Sequence, residues 1–191
     1  FHQSQAGTTI RFEGTSYIVL ADLHITRSDK TLEAMGIGFP SAIPAEHITI
    51  RNVHLQGLSY GIAYTASHFL FEDNIIEDCE NAQVAGSGHA QGMFSAGSHN
   101  GVIRNNHFHR NGKRVMFDHN IYFAGDSDNW LIENNLFTGS GGTSIVFHGT
   151  MNHIVIRGNT FADNYSAAID ISDYSDTTLM EMRNFLVENN R

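Results

Sequence analysis

Seven segments of this chain share one short pattern: YIVLADLHI (17–25), HITIRNVHL (47–55), HFLFEDNII (68–76), NGVIRNNHF (100–108), NWLIENNLF (129–137), HIVIRGNTF (153–161) and NFLVENNR (184–191). Their starts lie 30, 21, 32, 29, 24 and 31 residues apart. Recurrence at a variable spacing of this size marks a solenoid whose coils carry loops of unequal length. Within the segments, Ile48 and Ile50, Phe69 and Phe71, Trp130 and Ile132, and Ile154 and Ile156 alternate with other residues. A period of two is that of a short strand with one buried face. The seventh position is Asn74, Asn106, Asn135, Asn159 and Asn190 in the last five segments, against Leu23 and Val53 in the first two. Asn accepts the left-handed backbone of a turn, and identical Asn side chains in stacked coils can bond one to the next. The pattern predicts an Asn ladder that starts in the third segment.

A second strand recurs in the same frame as NIYFAG (120–125), SIVFHG (144–149) and AIDISD (168–173), with GIAYTA (61–66) and GMFSAG (92–97) before them. Ile121, Ile145 and Ile169 are expected to face inward with Phe123, Phe147 and Ile171. Two or three short strands per coil, Gly and Asn at the turns and no amphipathic helix predict an all-β parallel β-helix. It would hold about six to seven coils and span 1–191 as a single domain. The competing reading is a sandwich of antiparallel strands, which needs hairpin turns such as Asn-Gly. Asn-Gly occurs at 100–101 and 111–112, and the first lies inside a repeated strand.

Apolar residues at 41% and charged residues at 16% exclude a disordered tail. No apolar run approaches the roughly 18–20 residues of a membrane span, so no membrane insertion is expected. A net charge of −9 argues against nucleic acid as a partner, because phosphate is bound by basic surfaces. Cys79 stands alone, which excludes an internal disulfide and a Cys-rich zinc site. The chain starts at Phe1 and no signal peptide is visible, as in a processed protein or an excised piece of a longer one.

The segments GVIRNNHF, WLIENNLF and IVIRGNTF, each followed by a strand such as HNIYFAG or TSIVFHG, resemble the repeats of the pectate-lyase-like superfamily. FDHNIYF (117–123) is similar to the His-x-Ile-Tyr strand common in its carbohydrate-active members. The resemblance implies a single-stranded right-handed β-helix, a polysaccharide partner, and an extracellular, periplasmic or cell-surface location. Members of that superfamily include polysaccharide lyases, hydrolases and epimerases, and also phage tailspikes and adhesins. The NTD…DD…GHG…RIK set of polygalacturonase-type hydrolases is absent, and so is the DPH signature of alginate epimerases, which FDHN (117–120) only partly echoes. Complete enzymes of this kind usually have more coils, so the resemblance also implies a fragment.

Parallel stacking at about 4.8 Å places equivalent residues of neighbouring coils in columns. Tyr122, Val146 and Asp170 form one outward column and Ala124, His148 and Ser172 the next, with Asp118 and His119 entering from the preceding turn. Cleaving a uronate polymer by β-elimination requires a neutralised carboxylate, a base for the C5 proton and an acid for the leaving oxygen. His119 or His148 suits the base and Tyr122 the acid. Arg110, Lys113 or Arg114 suits the carboxylate, with His107 and His109 on the same loop side as further substrate-binding candidates. A hydrolase would use paired carboxylates instead, and Asp118 with Asp170 is the candidate pair.

The acidic loops GDSDN (125–129, with Asp126 and Asp128) and SDYSD (172–176) carry oxygens suited to Ca²⁺, the one cofactor the sequence raises. Neither matches an EF-hand loop. GSGHAQGMFSAGSH (86–99), with His89 and His99, is a candidate lip over a groove. Two functions fit: a lyase- or epimerase-like activity on an acidic polysaccharide, or a non-catalytic structural or adhesive module. The repeat resemblance and the basic, His- and Tyr-bearing face put the first ahead, while the missing signatures, the short coil count and the negative charge speak for the second.

Overall fold

Strands whose side chains alternate between apolar and polar must bury one face. In this chain they do so by stacking coil upon coil around a common core. The computed structural model describes residues 2–3, 7–27, 33–39, 45–80, 89–113, 116–172 and 181–191, and these contain strands and turns but no helix. Among the described residues every strand pairing is parallel, so the antiparallel sandwich is excluded.

Each coil presents up to three faces. The first face is built from Ser16–Arg27, Ala45–Gln56, Ala66–Glu72, His99–Arg104, Ser127–Glu133, Met151–Arg157 and Met182–Glu188. The second holds the short strands Ile75–Glu77, His107–His109, Leu136–Thr138 and Thr160–Ala162. In the first two coils, Ser16–Arg27 and Ala45–Gln56 run on around the corner, so both faces, with the short strand His2–Gln3 paired to the end of Ser16–Arg27, belong to one 12-stranded sheet. The third face is a 7-stranded sheet of Gly7–Arg11, Ala34–Gly38, Tyr60–Tyr64, Gln91–Ala96, His119–Ala124, Ile145–His148 and Ile169–Ile171. The strands Gly7–Arg11 and Ala34–Gly38 were not legible in the sequence, because Gly36 and Gly38 interrupt the apolar alternation.

The predicted register holds. Ile121 pairs with Ile145 and Phe123 with Phe147, and all four are completely buried. Ile169 continues the first column half-buried, while Ile171 is 39% exposed in the last coil of this sheet. Trp130 depends on a small neighbour. Gly101 lies beside it in the preceding coil, and a Cβ there would sit 2.0 Å from the indole Cζ3.

The Asn ladder forms where it was predicted. The side-chain amides donate in sequence, Asn74 to Asn106 at 3.0 Å, Asn106 to Asn135 at 2.9 Å, Asn135 to Asn159 at 3.0 Å and Asn159 to Asn190 at 3.0 Å. Each also donates to a carbonyl one coil back, as Asn106 does to Phe71 at 2.9 Å. Where the ladder ends at Val53, Asn74 Oδ1 accepts the Val53 amide at 2.8 Å. The left-handed turn belongs to the sixth position rather than the seventh: Asp73, Asn105, Asn134 and Asn189 have φ of 54–56°. The first position is left-handed too, and there His47 and His68 stack their rings at 4.5 Å.

Candidate functional site on the third face

Beyond His109 the chain leaves the second face, crosses a loop and enters the third face at His119. A buried amide chain fixes that crossing. Asn111 Nδ2 donates to Asn120 Oδ1 at 2.9 Å and to the Ile76 carbonyl at 3.0 Å, and Asn120 Nδ2 donates to Ser144 Oγ at 2.8 Å. Asp118, only 3% exposed, holds the loop from above. Its Oδ1 accepts the Ala90 amide at 2.9 Å and its Oδ2 the Lys113 amide at 2.7 Å. Gln91 Nε2 donates to the Phe117 carbonyl at 3.0 Å. Met116 and Phe117 are thereby held over the sheet, although they remain 70% and 55% exposed.

Under them lies a cleft of about 490 Å³ that includes His119, Tyr122, His148, Asp170 and Thr143 in its lining, with His89 and Phe117 at its rim. The Tyr122 hydroxyl lies 2.6 Å from His148 Nδ1. The His119 ring stacks on Tyr122 at 5.5 Å and 16°, and Phe94 from the preceding coil stacks on it at 5.7 Å. His119 Nδ1 lies 2.9 Å from the Thr143 carbonyl. A carbonyl only accepts, so Nδ1 carries the hydrogen and Nε2 the lone pair. Burial pushes the His119 pKa below the usual imidazole value, only partly offset by the hydrogen bond to Thr143 and by the nearby Asp118 carboxylate. Asp170 is paired in register with Val146 and is contacted by Ser172 Oγ.

The structure therefore brings His119, Tyr122, His148 and Asp170 together. Asp118 stands beside them with both oxygens engaged by backbone amides. Two of the basic candidates are placed elsewhere. Arg110 turns back to Asp78, with Nε to Oδ1 at 2.7 Å, and approaches Glu77 at 3.5 Å. Lys113 Nζ lies 3.3 Å from Glu80. Arg114 lies outside the described residues. His107 and His109 flank Thr138 on the second face, at 3.0 and 2.6 Å from its hydroxyl. Asp128 is taken by His99 at 2.5 Å, Asp126 is exposed, and among the described residues no three His, Cys, Asp or Glu side chains are grouped as metal ligands would be. Most of SDYSD and the start of the Gly/Ser-rich segment lie outside the described residues.

Sequence reasoning missed Met116, Phe117, Thr143, Val146 and Ser166 as lining residues. Val146 was already in the outward column. The loop residues carried no signal, because the loop's seat on the sheet depends on Asp118, Gln91 and Asn111, whose partners lie in other coils.

A family profile described as "Right handed beta helix region" matches residues 41–191. The crystal structure of alginate lyase from Paenibacillus sp. str. FPU-7 is similar at 16% identity over 82% of this chain and 67% of that one, with a TM-score of 0.40. No curated protein matches the chain. Parallel coils, a continuous Asn ladder and a profile that spans most of the sequence lead to one assignment: the chain belongs to the right-handed β-helix family.

Proposed function

We propose that the third-face cleft acts on an acidic, uronate-containing polysaccharide by a lyase- or epimerase-like reaction. The observation that carries this reading is the short Tyr122–His148 contact beside a buried His119 whose Nδ1 is already committed. Neutral His119 offers its Nε2 lone pair to the C5 proton. As the C5–H bond breaks, its electrons form the C4=C5 double bond, and the C4–O bond breaks. The leaving oxygen takes the Tyr122 proton, and His148 returns a proton to the phenol. If the C4–O bond stays intact, reprotonation of C5 from the opposite side would invert the centre, which is the epimerase outcome. The substrate carboxylate must be neutralised during proton removal. The described lining holds no Lys or Arg, and His89 at the rim is the lining residue we place against that carboxylate.

A second reading, a non-catalytic structural or adhesive module, draws on the pairing of Arg110 and Lys113 with Asp78 and Glu80, which withdraws two cations from the cleft. One assay separates the two. The chain is incubated with a panel of uronate polymers, with and without calcium. Unsaturated product is followed by ultraviolet absorbance and C5 inversion by proton NMR. Product on at least one polymer supports the enzyme. Binding without turnover on the whole panel supports the module and removes the proposed chemistry.

A further inference from the structure

The outer side of the first face carries three straight columns across six coils. Its central column is Thr49, Leu70, Val102, Leu131, Val155 and Leu186. Alternation keeps these residues out of the core, since their neighbours Ile48, Ile50, Ile154 and Ile156 are the ones buried. On one side runs Arg51, Glu72, Arg104, Glu133, Arg157 and Glu188, strictly alternating in sign. On the other runs Glu46, Ser67, His99, Asp128, Asn152 and Arg183.

We infer that this face binds a second copy of the chain, packed face to face with its coils running antiparallel. A two-fold axis along the strand direction, between the fourth and fifth of the seven first-face strands, reverses the coil order and keeps each column opposite itself. Arg51 then meets Glu188 of the other copy, Glu72 meets Arg157, and Arg104 meets Glu133. In the other polar column Glu46 meets Arg183 and His99 meets Asp128, while Ser67 meets Asn152. The apolar column meets itself, Leu70 against Val155 and Val102 against Leu131. Every Arg and Glu of the two polar columns thus finds its opposite under a single operator, and Asp128 meets a histidine. The parallel two-fold arrangement instead puts Arg104 against His99 and Glu133 against Asp128, so the charge pattern selects the antiparallel one. Within one chain the ladder is already knit, Arg104 to Glu72 at 2.6 Å and Arg157 to Glu133 at 2.8 Å, which holds the guanidinium groups in place for a second carboxylate.

Six coils at about 4.8 Å spacing and strands of about seven residues give a contact of about 24 by 20 Å, or about 1,000 Å² counted on both copies. That is the lower limit for a specific interface, so the dimer is a weak one.

Sedimentation equilibrium of the 191-residue chain over a range of concentrations tests this. A monomer–dimer equilibrium is expected. Arg51→Glu places like charges together twice in the symmetric dimer and should raise its Kd about tenfold. Adding Glu188→Arg should restore the Kd to within about twofold, and these two residues sit at opposite ends of one chain's ladder, too far apart to rescue each other except between copies. Leu131→Asp should leave only monomer. Circular dichroism and melting of each variant confirm that it is folded. A wild-type chain that stays monomeric, or a double variant no tighter than Arg51→Glu, overturns the inference.

Discussion

Replacing Asn106 with Ala removes the second of the five rungs of the Asn ladder, and the structure sets the size of the effect. Asn106 is 2% exposed. Its Oδ1 accepts from the Asn74 backbone amide at 2.9 Å and the Asn74 side-chain amide at 3.0 Å. Its Nδ2 donates to the Phe71 carbonyl at 2.9 Å and to Asn135 Oδ1 at 2.9 Å. Alanine removes all four, each worth about 1 kcal/mol net, and strands the Asn74 N–H and the Phe71 carbonyl where water does not reach; the expected loss is about 4 kcal/mol. Two controls locate the cause. Asn190→Ala, at the half-buried end of the ladder, removes three bonds in partial contact with solvent and should cost about 2 kcal/mol. Asn105→Ala next door touches no rung but puts Ala at a φ of 56°, a strain of about 1 kcal/mol that Asn105→Gly avoids. Urea unfolding followed by circular dichroism gives the three values. A loss for Asn106→Ala of under about 1 kcal/mol, or no larger than that of Asn105→Ala, would refute the claim that the ladder holds the coils together.

Three further outcomes follow from particular contacts. Gly101→Ala drives a methyl into the Trp130 ring and should cost about 3 kcal/mol or more, read as a lower urea midpoint. His119 is held below its unfolded pKa of about 6.5. The unfolded chain therefore binds its proton first, and His119's contribution to stability, full above about pH 6.5, falls as the pH drops below that value; His119→Asn should flatten this part of the stability–pH curve. Cys79 is completely buried and its thiol is pushed up to about 12, so an aromatic disulfide reagent at pH 8 should label it only at the rate of unfolding, and a fast native reaction would contradict the placement.

The sequence carried the fold unusually far because a solenoid repeats its own physics. Once Ile121, Ile145 and Ile169 are aligned, the partners of Tyr122 and Ala124 follow with no further information, and the observed register agrees. The ladder could be placed to its starting segment because an amide has nothing to pair with where Val53 and Leu23 stand. Two features escaped. The left-handed residue was assigned one position late, because Asn is common at both the sixth and the seventh positions, and only the structure separates a strained corner from a buried rung. The cleft was half legible. Its strand residues follow from register, whereas the loop from Arg110 to Asp118 obeys no repeat. Arg110, a candidate for the substrate carboxylate, is drawn to Asp78, and the residues that cover the sheet are Met116 and Phe117.

The most direct measurement of the functional account is the crystal structure of the Tyr122→Phe variant soaked with a uronate oligosaccharide. Loss of the phenolic proton should stall the leaving-group step and leave the folded cleft intact. The account predicts an intact sugar chain in the third-face cleft, with a C5–H directed at His119 Nε2 and its bridging oxygen against the ring position that Tyr122 occupies. Oligosaccharide bound on another face, while the cleft stays empty, would contradict it.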